Sequence, residues 1–247
     1  MAPGFVRLAR LGPPPGGQMT RTTNSRIAGF TFLLYIAAGV TGMVLSSQAT
    51  GGEGIAAQLA TIARHATDVR ITVVLEMVEC MCALVLAVTL YALTREQDPD
   101  LAMLGLCCRV GEGVIAGAGL HRTLALLWLA TSAGADAPGP GAANALGAYL
   151  LRGSVAPSAM FFAVGSTAFS WLFLRGRMIP VPLAWIGVVA SMLLVAAMPL
   201  VAAGFLKGPL AGFIWLPMVA FEVPLALWLL IKGAAPPGHP RFAPASA

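Results

Sequence analysis

The chain has 247 residues, of which 58% are hydrophobic and only 10% charged, and its mean hydropathy is +0.83. A soluble domain carries roughly 25% charged residues because something must face water; a chain with so few needs lipid around it. The net charge of +5 does not point to nucleic acid, because the basic residues sit in short tails and turns, with no basic stretch interleaved with aromatics.

Residues 1–26 are punctuated by Pro13-Pro14-Pro15-Gly16-Gly17 and hold no continuous apolar run of the signal-peptide kind. They read as a flexible tail. A spanning helix needs about 20 mainly apolar residues, and the first such run extends from about Ile27 to Ser46. Next, Ile55, Leu59 and Ile62 recur at helical spacing, with Gln58, Arg64, His65 and Asp68 elsewhere around the turn. That pattern predicts a short helix lying on the membrane surface.

The second span runs from about Ile71 to Leu93, and the third from Leu101 to Ala130, long enough to tilt. A turn at Asp136-Ala-Pro-Gly-Pro-Gly141 follows, then a short apolar run through Tyr149 and Leu151. The fourth, fifth and sixth spans cover about Ala156–Leu174, Leu183–Phe205 and Ala211–Ile231. Residues 233–247, rich in Pro and Ala, read as a second flexible tail. The expected fold is an all-α polytopic transmembrane bundle of about six helices, one domain over 27–232.

With the N-terminus inside, nine basic residues are cytoplasmic: Arg7, Arg10, Arg21, Arg26, Arg95, Arg175, Arg177, Lys232 and Arg241. Only Arg64, Arg70, Arg152 and Lys207 fall outside. This bias predicts an N-in, C-in topology. A reporter fused after Ala247 is therefore expected to be active only in the cytoplasm; periplasmic activity there overturns the orientation or the even span count.

Of ten acidic residues, four fall within the spans: Glu76, Glu79, Glu112 and Glu222, joined by Arg109. A charge at the bilayer centre costs at least ~2.5–3.5 kcal/mol on insertion scales, so such groups face the bundle interior, pair, or become neutral. By helix rise, Glu222 and Glu112 lie ~16 Å into their spans and Glu79 ~12 Å. All five occupy one slab of the membrane. Arg109 keeps its proton and is expected to pair with Glu112 or with an acid of the second or sixth span. Four carboxyls facing one guanidinium leave an excess of acid. A structural hydrogen-bonded network and a ligand or proton site both fit that excess.

On the third span, Gly105, Cys108, Glu112, Ala116 and Gly119 form a stripe of small or polar residues that lets a neighbour approach closely. Pro217 and Pro224 flank Glu222, predicting either a kink or a polar pocket around it.

At these residues the chain resembles the bacterial DUF4386 family of uncharacterised membrane proteins. The resemblance rests on Arg26-Ile-Ala-Gly29, Leu75-Glu76, Arg109-Val-Gly-Glu112-Gly113, and Arg177-Met-Ile-Pro180 with Trp185 and Gly187. It ends on Glu222 with Leu225-Ala226-Leu-Trp228 and Lys232-Gly233. It implies Glu76, Arg109, Glu112 and Glu222 as shared polar positions; Glu79 and the cysteines look particular to this chain, and Phe221 and Pro224 depart from the pattern. It also implies a multi-pass protein of the bacterial cytoplasmic membrane. It supplies no activity.

Other chemistry has little footing. Cys80, Cys82, Cys107 and Cys108 all lie in apolar runs and read as packing residues. His65 and His239 read as loop and tail residues, and His121 lies near the outer end of the third span, so no metal site is expected. No cofactor is indicated. Ser166 and Ser170 share a face without a histidine at matching depth. The remaining readings are a protein that binds or transports a proton, cation or amphipathic molecule, a membrane enzyme using paired carboxylates on a lipid or isoprenoid, and a structural subunit of a membrane complex.

Overall fold

A computed structural model describes residues 19–134 and 137–238. Asp136 and His239 lie outside the described residues, as do 1–18 and 239–247. Among the described residues the regular structure is entirely helical. The helices are α1 (Arg21–Ala49), α2 (Ile55–Arg64), α3 (Ala66–Thr94), α4 (Pro99–Thr131), α5 (Pro140–Leu151), α6 (Ala156–Arg175), α7 (Val181–Ala202), α8 (Pro209–Phe213) and α9 (Leu216–Ile231). Six stretches are long and apolar enough to cross a membrane, in the order the hydropathy predicts.

The helix ends follow local chemistry. Thr20 caps α1 by accepting the Thr23 N–H, so the helix starts at Arg21 rather than near Ile27. Asp98 accepts the Leu101 N–H at 3.1 Å and precedes Pro99, a strong start for α4. The sixth span departs from a simple kink. Pro217 sits in the first turn of α9, where a missing N–H costs nothing, and α8 and α9 meet in a turn at Ile214 and Trp215.

Around the bundle α1 packs on α3, α3 on α4, α4 on α6, α6 on α7, α7 on α9, and α9 returns to α1. The closure is tight: a methyl group placed on Gly29 of α1 would lie 2.6 Å from the Ala226 carbonyl oxygen and the Leu230 nitrogen of α9. Outward faces carry exposed Phe30, Met43, Val74, Met81, Val189 and Met192, the apolar exterior that a lipid bilayer accepts.

Helices α2 and α5 cover one end of the ring. The apolar face of α2 does not lie free on a membrane surface, as the sequence pattern suggested. Leu59 and Ile62 are buried against Ala49, Val69, Leu126 and Leu127, and Ile55 meets Gly147 of α5. Burial on the bundle end removes the same apolar area from water that a membrane surface would.

At the opposite end Arg21, assigned to the tail by composition, joins four segments. Its guanidinium donates to the carbonyls of Leu93 (2.8 Å), Ala235 (2.9 Å) and Ala234 (3.3 Å) and lies 3.5 Å from Glu96. Ala235 N–H donates to the Met178 carbonyl, and Ala234 N–H to the Ser25 hydroxyl. Ala234 and Ala235 are buried, so chain following α9 is packed at least this far.

Candidate functional site

Along α3 and α4 the polar residues lie between two apolar cores. One core is built on Leu86, Leu90, Leu172, Phe173 and Leu225; the other joins Val69 and Leu126 to α2. Lipid outside and apolar cores above and below leave the polar groups only one another, or a cavity, as partners.

Arg109 is 1% exposed, Glu112 3% and Glu222 6%. The spacing of Arg109 and Glu112 on one helix sets a 2.8 Å charge-assisted bond from Nη1 to Oε2. Nη2 faces Glu222 Oε1 of α9 at 3.7 Å. The guanidinium also lies over Phe162, 4.6 Å from its ring centroid, and 5.7 Å from that of Phe32. Both are within cation–π range. The pairing expected for Arg109 is thus met from its own helix and from the sixth span together. The second oxygen of Glu112 accepts the Tyr35 hydroxyl at 2.8 Å.

Behind this pair, Arg109 Nε, Ser166 Oγ and Glu222 Oε1 are buried and have no hydrogen-bond partner among the described residues. They border a cavity of about 10 Å³, on the order of one water molecule.

On the other side of Glu112 is the main cavity, about 350 Å³, between α1, α3, α4, α6 and the turn before α9. Glu76 and Glu79 of α3 line it with Glu112, Tyr35, Phe162, Trp215 and Arg122. Small residues make the room: Ala83, Gly113, Ala116 and Gly119 are on its wall. Glu79 has no hydrogen-bond or ion-pair partner within range among the described residues. Gly39 of α1 admits its carboxylate, since a methyl there would lie 2.5 Å from Glu79 Oε1. Glu76 accepts the Thr123 hydroxyl at 3.2 Å on each oxygen. Near the α2–α5 end the cavity reaches exposed Gly153, Ser154 and Val155. A second cavity of about 190 Å³ lies under α2 and α5 and shares Glu76, Arg122 and Gly153 with the first.

The five sequence-predicted residues therefore divide. Arg109, Glu112 and Glu222 form one buried network; Glu79 and Glu76 line the main cavity that Glu112 also borders. Sequence reasoning missed Tyr35, Phe162, Trp215 and Arg122. A hydroxyl in the middle of the first span was the available signal for Tyr35. Nothing local marked the aromatics, which converge from α1, α6 and the turn before α9. The four cysteines are free thiols. His65 bonds Asp68 at 2.8 Å, away from the cavity. Among the described residues no three His, Cys, Asp or Glu side chains stand close enough to hold a metal ion.

A closed ring of apolar helices around buried charge makes this a multi-pass integral membrane protein. The chain belongs to the family described as a domain of unknown function, DUF4386, whose model matches residues 27–233. No curated protein and no solved structure matches it.

Proposed function

We propose that this protein binds a small or amphipathic organic cation in the cavity between α3, α4 and α6. The observation that carries the reading is Glu79: a carboxylate on the cavity wall without an ion-pair partner, beside a second acid, Glu112, whose own cation lies behind it. Tyr35, Phe162 and Trp215 add aromatic surface, which favours an organic ammonium through cation–π attraction. A volume of about 350 Å³ is within the range of small-molecule sites, roughly 300–1,000 Å³. With the bundle in a bacterial cytoplasmic membrane and both termini inside, the opening at Gly153–Val155 faces outward.

The test is thermal unfolding of the full chain in phosphatidylglycerol nanodiscs with choline, tetraethylammonium or dodecyltrimethylammonium. At least one is expected to raise the midpoint by several degrees at saturation, as ligand linkage requires. Glu79→Gln is expected to remove most of that shift. No shift with any of the three, or the same shift in Glu79→Gln, overturns the reading.

A further inference from the structure

We propose that the ligand is a zwitterion, its cationic group at Glu79 and Glu112 and its anionic group at Arg122. This rests on the cation reading above and narrows it. Glu112 and Arg122, ten positions apart on α4, both line this space. Glu79 and Glu112 line the inner part with Tyr35 and Phe162, whereas Arg122 lines both the main cavity and the cavity under α2 and α5.

Arg122, only half-buried, differs from the buried Arg109. Arg109 is held by two carboxylates, but Arg122 has no hydrogen bond or ion pair within range among the described residues. Glu76 of α3 lines the same two cavities and attracts Arg122 electrostatically, but it stands beyond ion-pair range and accepts the Thr123 hydroxyl on both oxygens. The Arg122 side chain packs against Gly153, where any Cβ would overlap it. Glycine there leaves room for the Arg122 side chain, which lines both spaces. A guanidinium with free donors in a cavity recognises carboxylate or phosphate. The first turn of α6, at Pro157 and Ser158, borders the same cavity, and its dipole adds positive potential to that of Arg122.

Glu112 and Arg122 are separated by about 15 Å of helix rise along α4, less the reach of the arginine chain. Ligands with adjacent charges cannot span that interval. Those with several ångströms between an ammonium and a phosphate or distant carboxylate can.

Calorimetry on the full chain in phosphatidylglycerol nanodiscs, with choline, phosphocholine and inorganic phosphate as probes, tests this. Phosphocholine is expected to bind at least about tenfold more tightly than choline, the yield of one charge-assisted contact, and phosphate alone more weakly than either. Arg122→Gln is expected to bring phosphocholine to the level of choline, while Glu79→Gln weakens both. The wild-type comparison decides even if Arg122→Gln does not fold. Choline binding as tightly as phosphocholine overturns the zwitterion and leaves the cation reading standing; binding of neither overturns both. Phosphate as tight as phosphocholine also overturns it, as an anion site. Repeating the titration in phosphatidylcholine nanodiscs separates two sources of the same chemistry. Lost phosphocholine binding there identifies a lipid headgroup as occupant, and unchanged binding a free zwitterion; both support the class.

Discussion

Arg109→Ala is expected to lower the unfolding free energy of the solubilised protein by about 3–5 kcal/mol, the cost of breaking a buried ion pair from one side. Its guanidinium holds Glu112 at 2.8 Å and faces Glu222 at 3.7 Å. Removing it leaves two buried acids, from α4 and α9, without a cation and leaves the space over Phe162 empty. Glu79→Gln is expected to cost less, because Glu79 gives up no pair. Adding Glu112→Gln to Arg109→Ala is expected to restore part of the loss, since one of the stranded carboxylates disappears and an amide can still accept from Tyr35. The measurement is equilibrium unfolding of the four proteins in one detergent. An Arg109→Ala protein as stable as wild type means that Arg109 reaches headgroups or water by snorkelling, and the buried network fails with it.

Why Arg109 was legible in the sequence, and Arg122 and Arg21 were not, is a matter of what each partner requires. Arg109 and Glu112 are three positions apart on one helix, so their meeting follows from helix geometry alone. Matching depth then brought Glu222 into the same slab. The six spans were legible for a similar reason: hydropathy is summed along the chain and needs no tertiary information. The main cavity is different. It exists because Ala83, Gly113, Ala116 and Gly119 leave room between helices whose relative rotation no single span encodes. Tyr35, Phe162 and Trp215 enter it from α1, α6 and the start of the last span, and none carries a local signature. Arg21 was hidden by its surroundings. It follows a Pro- and Gly-rich stretch, yet its donors close the end of the bundle on Leu93, Ala234 and Ala235. Pro217 and Pro224 allowed a kink or a polar pocket around Glu222; Pro217 instead falls in the first turn of α9, with Pro224 inside that helix.

Gly29→Ala is expected to destabilise the bundle by about 1–3 kcal/mol, the usual cost of overpacking, although alanine is the better helix former by ~1 kcal/mol. The opposing terms differ in kind. Helix propensity is local and acts on α1 alone. The clash is with backbone: the added methyl would lie 2.6 Å from both the Ala226 carbonyl oxygen and the Leu230 nitrogen. A flexible side chain could turn aside; a helix backbone moves only as a body. Ala28 and Ala226 beside the contact are fully buried, so small residues on both helices set how closely they approach. That contact also joins the first span to the last, and separating it opens the ring. Gly119→Ala supplies the control with the same chemistry. A methyl there meets nothing within 4 Å, so the propensity gain stands alone, and α4 is expected to become more stable by ~0.5–1 kcal/mol. Paired thermal unfolding in detergent reads both signs in one experiment. If the two substitutions shift the midpoint alike, packing at Gly29 is not limiting, and α1 and α9 are farther apart than the closed ring requires.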